Sequence, residues 1–263
     1  MQLIVTRPLA QADAWVAALL ELGLMAQALP LIRIAPPDDE AAVEQAWHRL
    51  QGLALVMFVS ANAVAQFFRL RPVDAPWPAA LQAAATGPGT AAALREVGLL
   101  PTQIVEPAAD APSFDSEALW ARLSGRPWPG CRVLVVRGEE GRDWLAEQLG
   151  AQGAQVDFVA AYRRLPPQPD AAQQDLLACA QADPQGHLWV FSSSEAVGHL
   201  AALASGADWS AGRALASHVR IAQAARNIGF GQVQEVAPNV AAVALAAAML
   251  ALDDSLDDVK TGP

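Results

Sequence analysis

Short apolar runs alternate with longer amphipathic segments along most of the chain. The run LIVT at residues 3–6 is rich in β-branched residues, and a segment with apolar positions three and four residues apart follows it. Runs of the first kind are typical of buried strands, and the second spacing is typical of helices that cover a sheet. The repeated strand–helix pairs predict an α/β fold, in which an open parallel sheet carries helices on both faces.

The same order of elements occurs twice along the chain. Residues 3–34 align without a gap to residues 133–164, so that LIVTRP corresponds to VLVVRG and ALPLIRI corresponds to FVAAYRR. Two weaker correspondences continue the series, residues 57–68 with 190–201 and residues 85–99 with 216–230. Self-similarity of this kind predicts two copies of one α/β unit.

Proline-rich segments lie inside each copy rather than between the copies. They are PLIRIAPPDD at residues 30–39 and YRRLPPQPD at residues 162–170. Proline removes a backbone donor and interrupts helices, so these segments are natural links between domains. The prediction is a continuous domain at residues 37–165 and a discontinuous domain that combines residues 1–34 with residues 168–253.

Composition and charge narrow the functional classes. Hydrophobic residues make up 53% of the 263 positions, which is ample for a buried core. The net charge of -10 argues against non-specific binding to nucleic acid or to an anionic membrane. Part of this charge lies in residues 254–263, which are predicted to form an acidic flexible tail. The chain opens without a leader-like segment, so the expected location is the cytoplasm.

Residues that bind metals or organic cofactors are not grouped in the sequence. The two cysteines, Cys131 and Cys179, and the four histidines stand at no ligand spacing, so no metal site is predicted. The segment TGPGT at residues 86–90 lacks the lysine of a phosphate loop. It also lacks the third glycine and the acidic residue of a dinucleotide-binding fold. We therefore expect a protein without a cofactor.

The candidate chemistry lies where strands end and helices begin. In a parallel sheet, ligands bind at the carboxyl ends of the strands, beside the N-termini of the helices that follow. Such turns here carry small polar or basic residues that can bind anionic groups: Thr6 and Arg7; Ser60 and Asn62; Thr86, Gly87 and Thr90; Arg137 and Gly138; Ser192, Ser193 and Ser194; His218 and Arg220. Each hydroxyl could also serve only as a helix cap, and Thr90 in particular is expected to cap its helix.

The order and spacing of these turns resemble those of the uroporphyrinogen-III synthase family. The similar segments are VTRP, VMFVSANAV, ATGPGTAAAL, VLVVRGEEGRDWLAEQLGAQGAQV, VAAYRR and WVFSSSEAV, and they span nearly the whole chain. The resemblance implies two similar flavodoxin-like parallel-sheet domains, joined by a two-stranded β-ladder linker, with the first domain discontinuous. It also implies an enzyme that needs neither a metal nor an organic cofactor.

The resemblance implies a lyase that cyclises and dehydrates hydroxymethylbilane to uroporphyrinogen III, with inversion of ring D. Tyr162, the only tyrosine, matches the family's usual candidate for the proton donor to the departing hydroxyl. It is expected at the mouth of a cleft. Thr90 matches the threonine of the family's capping turn in the middle domain, and one of Ser192, Ser193 and Ser194 matches a family serine. The positions that match residues lining the cleft are Arg7, Ser60, Asn62, Arg137 and Gly138. His218 and Arg220 stand where relatives often carry threonine, so they are expected to take over substrate contacts.

The expected partner is this small-molecule substrate, with transient handover from the preceding bilane-forming enzyme, and nothing demands more than a monomer. Two other classes stay open at this point. A non-catalytic, two-lobed α/β protein could bind an anionic small molecule at the same turns. A flavodoxin-like cofactor protein would require a hydroxyl-rich phosphate loop directly after the first strand, where the chain reads TRPLAQA.

Overall fold

The computed structural model describes residues 1–108, 110–111, 116–139 and 143–261, with side chains as far as Leu252. The chain divides into two compact units. Unit 1 consists of Met1–Arg33 together with Leu165–Pro263, and unit 2 consists of Ile34–Arg164.

Strands and helices alternate in both units. The strands are β1 Gln2–Val5, β2 Ala26–Ala28, β3 Arg33–Ala35, β4 Leu55–Phe58, β5 Gln82–Ala85, β6 Ile104–Val105, β7 Arg132–Gly138, β8 Gln155–Leu165, β9 His187–Phe191, β10 Arg213–Ala216 and β11 Gln232–Glu235. The helices are α1 Leu9–Glu21, α2 Glu40–His48, α3 Ala61–Arg69, α4 Pro88–Glu96, α5 Ser116–Leu123, α6 Trp144–Ala151, α7 Ala171–Ala182, α8 Ser194–Leu203, α9 Val219–Asn227 and α10 Val240–Thr261.

Unit 1 is built on a five-stranded parallel sheet in the order β11-β10-β9-β1-β2. Counted along the chain within this unit, the order is that of flavodoxin-like folds. The N-terminal strand β1 lies inside the sheet, and its residues Leu3, Ile4 and Val5 are buried. Such continuous burial is expected for a parallel strand with helices on both faces of its sheet.

Unit 2 is built on a six-stranded sheet in the order β3-β8-β7-β4-β5-β6. When β7 and β8 replace β1 and β2, and β4, β5 and β6 replace β9, β10 and β11, its order matches that of unit 1. The predicted α/β class with two similar parallel-sheet domains is therefore confirmed. β3 lies beside β8, and the chain passes from one unit to the other at these two strands.

Two hydrophobic clusters cover the two faces of the sheet in unit 2. On one face, β4, β5 and β7 pack with α2, α3 and α4 around Trp47, Phe58 and Phe67. On the other face, alternate residues of the same strands pack with α5 and α6 around Leu119 and Leu145. The alternation follows from the two-residue period of a strand. Tyr162 belongs to the first of these clusters.

The last helix is longer than the sequence suggested. α10 extends to Thr261, past residue 254, where a flexible tail is predicted. Its inner side packs on the sheet of unit 1 through Val243, Ala246 and Ala247, while Leu245 and Met249 are exposed. Among the described residues, no helix combines the length and the apolar composition needed to cross a membrane.

Candidate functional site

The candidate residues stand at equivalent places in the two sheets. In unit 1 the chain order reverses between β1 and β9, and in unit 2 it reverses between β7 and β4. The crevice outside the carboxyl ends of strands at such a reversal is the usual ligand site of open α/β sheets. Arg7 and Ser192 follow β1 and β9, and Gly138 and Ser60 stand at the ends of β7 and β4. The sequence-predicted turns therefore fall on one edge of each sheet.

Tyr162 makes a long-range side-chain contact with another candidate residue of unit 2. Its phenol oxygen lies 3.1 Å from the Ser60 hydroxyl oxygen, and either atom can be the donor. Ser60 also caps α3, because its Oγ accepts a hydrogen bond of 3.1 Å from the amide of Ala63. The phenol is thus linked through one hydroxyl to the N-terminus of a helix.

The side chain of Tyr162 is 1% exposed, although the sequence placed it at the mouth of a cleft. Its ring lies against the backbone of Gly138, where a Cβ atom would come 3.2 Å from Tyr162 Cζ. The pairing of β7 with β8 shifts register between Arg137 and Gly138, and Gly138 is paired with Tyr162. The ring is buried because glycine leaves room for it beside β7. Its role as proton donor stays a prediction.

The β5–α4 turn uses its polar residues differently from the prediction. Thr86 Oγ1 donates a hydrogen bond of 3.1 Å to the carbonyl of Val59, which ties the ends of β5 and β4 together. Gly87, not Thr90, is the cap residue of α4, and Pro88 is the first residue of the helix. Thr90 lies in the first turn and is buried. Asn62 occupies the corresponding first turn of α3 and is partly exposed.

Arg137 is engaged within its own unit. Its guanidinium pairs with the carboxylate of Asp143, the residue before α6. The same group lies over the ring of Phe158, 4.5 Å from its centroid. Strand alternation turns Arg137 to the face opposite Tyr162. The structure therefore does not bring Arg137 together with Tyr162, although both were predicted as site residues.

Arg7 is the basic residue of the switch-point turn in unit 1. Its guanidinium lies over the ring of Trp15, 4.1 Å from the centroid, and Nη1 donates to Gln11 Oε1 over 3.3 Å. Burial lowers the pKa of Arg7. Within the described part of the chain, its buried Nε has no hydrogen-bond partner. A partly buried guanidinium with an unused donor is suited to binding a carboxylate.

The remaining residues of unit 1 hold the turns in place. Thr6 is buried, and its hydroxyl donates a hydrogen bond of 2.8 Å to the carbonyl of Val190. Ser193 caps α8 by accepting from the amide of Glu195 over 3.2 Å. His218 caps α9, because its Nδ1 accepts from the amide of Arg220 over 3.1 Å.

Ser192 and Ser194 flank the α8 cap, and Arg220 is exposed in the first turn of α9. The sequence reasoning missed one contact residue in each unit, Trp15 under Arg7 in unit 1 and Asp143 beside Arg137 in unit 2. The repeat offered a signal for Asp143, since it aligns with Asp13. Among the described residues, no three histidine, cysteine or acidic side chains are grouped as a metal site would require.

Comparison with known proteins identifies the relatives of this fold. A family model described as uroporphyrinogen-III synthase HemD matches residues 13–244. The chain belongs to the uroporphyrinogen-III synthase family. It is 30% identical to the uroporphyrinogen-III synthase of Salmonella typhimurium over 181 residues, which cover 66% of this chain and 69% of the relative. It is 32% identical to that of Synechococcus elongatus over 219 residues, which cover 80% and 78%.

Solved structures agree on the fold. The uroporphyrinogen-III synthetase of Helicobacter pylori superposes with a TM-score of 0.60 at 15% identity, over 94% of this chain and 98% of that chain. A mutant uroporphyrinogen III synthase of Thermus thermophilus gives a TM-score of 0.55 at 18% identity, over 97% and 99%. The resemblance found in the sequence is thus confirmed. The family indicates uroporphyrinogen-III synthase activity in porphyrin biosynthesis, and a non-catalytic binding protein is not favoured.

Proposed function

We propose that this protein is a lyase that cyclises and dehydrates hydroxymethylbilane to uroporphyrinogen III, with inversion of ring D. The observation that carries the proposal is the contact of Tyr162 with Ser60, at the reversal of strand order in a chain of this family. It supplies a phenolic proton at the edge of the sheet where α/β proteins bind ligands. We also propose that the enzyme works as a cytoplasmic monomer and receives its substrate by handover from the bilane-forming enzyme.

The family's reaction begins when the hydroxymethyl group on ring A loses water and leaves an azafulvene. The substituted carbon of ring D then attacks, and a spirocyclic pyrrolenine forms, fragments and closes again with ring D inverted. Loss of the hydroxyl is faster with a proton donor near its oxygen, and we propose Tyr162 as the source of that proton. The cation that develops is hosted by the substrate, so the protein contributes mainly by holding a flexible chain in the reactive geometry.

Several turns supply groups for the acetate and propionate side chains of the substrate. The helices α3, α4, α8 and α9 each begin at the carboxyl edge of a sheet, where backbone amides and the helix dipole favour anions. Arg7 adds one guanidinium whose Nε is unpaired within the described chain. The backbone amides at these helix N-termini are neutral donors. They allow a protein of net charge -10 to bind a polycarboxylate without a cluster of arginines.

The proposal is tested by supplying hydroxymethylbilane to the purified protein and separating the product isomers. We expect the type III isomer to form well above the background of the uncatalysed reaction, which yields the uninverted isomer. Protein that has been denatured by heat serves as the control. A type III fraction no greater than that of the control would contradict the assignment.

A further inference from the structure

The burial of Tyr162 raises the question of how its proton reaches a substrate. The phenol is 1% exposed, whereas Ser60, 3.1 Å away, is partly exposed. Ser60 is therefore the more exposed residue of the pair. A direct transfer would require the buried phenol to touch the substrate, but a transfer through Ser60 requires no movement of the ring.

We propose that the Ser60 hydroxyl gives the proton to the departing hydroxyl, and that the buried Tyr162 replaces that proton on Ser60. This inference rests on the proposed function. The C–O bond of the hydroxymethyl group breaks, its electron pair leaves with the oxygen, and that oxygen takes the Ser60 proton to become water. Ser60 Oγ takes the phenolic proton at the same time, so Tyr162 is left as phenolate. When the product forms, the proton lost from ring D returns through Ser60 to the phenolate.

The N-terminus of α3 makes Ser60 suitable for this transfer. One lone pair of Ser60 Oγ already accepts from the Ala63 amide, and a hydroxyl that accepts a hydrogen bond becomes a stronger donor. The same helix N-terminus carries a partial positive charge, which stabilises the phenolate formed on Tyr162. The partly exposed serine and the buried phenol thus share one electrostatic environment.

Unit 1 contains the cap without the phenol. Ser193 aligns with Ser60 and also caps its helix, α8, although it accepts from the amide two residues on rather than three. The residue that aligns with Tyr162 is Ile32, which is buried. The space beside the strand also differs, because Gly138 aligns with Pro8. Helix capping therefore explains the serine at this turn in both units. It does not explain the buried phenol in contact with the serine, which occurs only in unit 2.

The kinetic test uses variants that separate proton transfer from helix capping. We expect Ser60→Ala and Tyr162→Phe each to lower kcat by roughly a hundredfold with little change in KM, and the double variant to be no slower than either. Ser60→Thr keeps the hydroxyl and the cap, so it should restore most of kcat. Asp39→Ala removes a comparable cap, that of α2, whose carboxylate accepts from the Ala42 amide over 3.0 Å, and it should keep kcat.

A second measurement reports on the hydrogen bond without the reaction. Since Tyr162 is the only tyrosine, tyrosine labelled with ¹³C at Cζ gives a single NMR resonance. Ser60→Ala should shift it, whereas Ser60→Thr and Asp39→Ala should leave it near the wild-type position. An unshifted resonance in Ser60→Ala, or a wild-type kcat in that variant beside a slow Tyr162→Phe, would overturn the relay alone. A wild-type protein that makes no type III product would overturn the proposed function and the relay together.

Discussion

At the scale of single residues, Gly138 determines where the phenol of Tyr162 lies. A Cβ atom on Gly138 would come 3.2 Å from Cζ and 3.3 Å from Cε2 of the buried ring. The variant Gly138→Ala should therefore displace the ring from Ser60 and destabilise the fold by about 1–3 kcal/mol, as overpacking of a core does. Chemical denaturation and the rate of type III formation measure the two effects.

The matched control for this change is Gly150→Ala in α6, where an added Cβ meets no atom within 4 Å. Alanine inside a helix is more favourable than glycine by about 0.5–1 kcal/mol, so this variant should be as stable as the wild type or more stable. If Gly138→Ala retained full activity and stability, the close packing of Tyr162 against β7 would not matter for its role.

Arg7 is the residue from which we expect a binding effect rather than a chemical one. Its guanidinium is held over the ring of Trp15, and the proposed proton transfer uses no atom of Arg7. Arg7→Ala should raise KM for the bilane more than it lowers kcat, since it removes an interaction made equally in the ground state and the transition state. Steady-state kinetics measure the two constants separately.

A suitable control is Arg69→Ala, which removes the same charge from an exposed ion pair with Glu40. Exposed pairs contribute little to stability, and this variant should leave KM unchanged. The opposite pattern for Arg7→Ala, a lower kcat with an unchanged KM, would indicate that Arg7 positions the reacting groups or holds its own turn.

At the scale of elements, the sequence indicated where the helices begin more reliably than which residue caps them. Ser60 and Ser193 cap α3 and α8, as small polar residues after a strand predict. Thr90 does not cap α4, because Pro88 starts that helix earlier. Proline is pre-organised for the first position of a helix, so the TGPGT segment already contained the signal for the earlier start.

The capping box of α7 allows a quantitative prediction at this scale. Asp170 accepts a hydrogen bond of 2.9 Å from the Gln173 amide, and Gln173 Oε1 accepts one of 3.2 Å from the Asp170 amide. Asp170→Ala should lower the free energy of unfolding by about 1 kcal/mol, because it leaves a helix amide without its acceptor. Asp170→Asn keeps an acceptor and should lose much less in the same denaturation experiment. Equal losses in both variants would mean that the negative charge, not the cap, is what stabilises α7.

At the scale of the whole molecule, the internal repeat of the sequence predicted that the two sheets are similar. The spacing of apolar residues and the identity of turn residues are local properties, so they can be recognised in a sequence. The contact between Ser60 and Tyr162 could not be predicted in this way, since it joins residues 102 positions apart. It depends on the β7–β8 register shift and on the space beside Gly138, both of which appear only when the strands are paired. The burial of Tyr162 is thus a property of the assembled sheet.

The order of strands also predicts which parts of the chain fold alone. Residues 34–164 contain nearly all of the six-stranded sheet and the helices that cover both its faces. We therefore expect this fragment to fold and to unfold cooperatively by itself. Residues 165–263 lack β1, which lies between β9 and β2, and should not fold because β9 loses its buried neighbour. Joining residue 33 to residue 165 through a glycine–serine linker should restore a folded unit 1. Circular dichroism with thermal unfolding tests all three, and cooperative unfolding of residues 165–263 alone would show that β1 is dispensable.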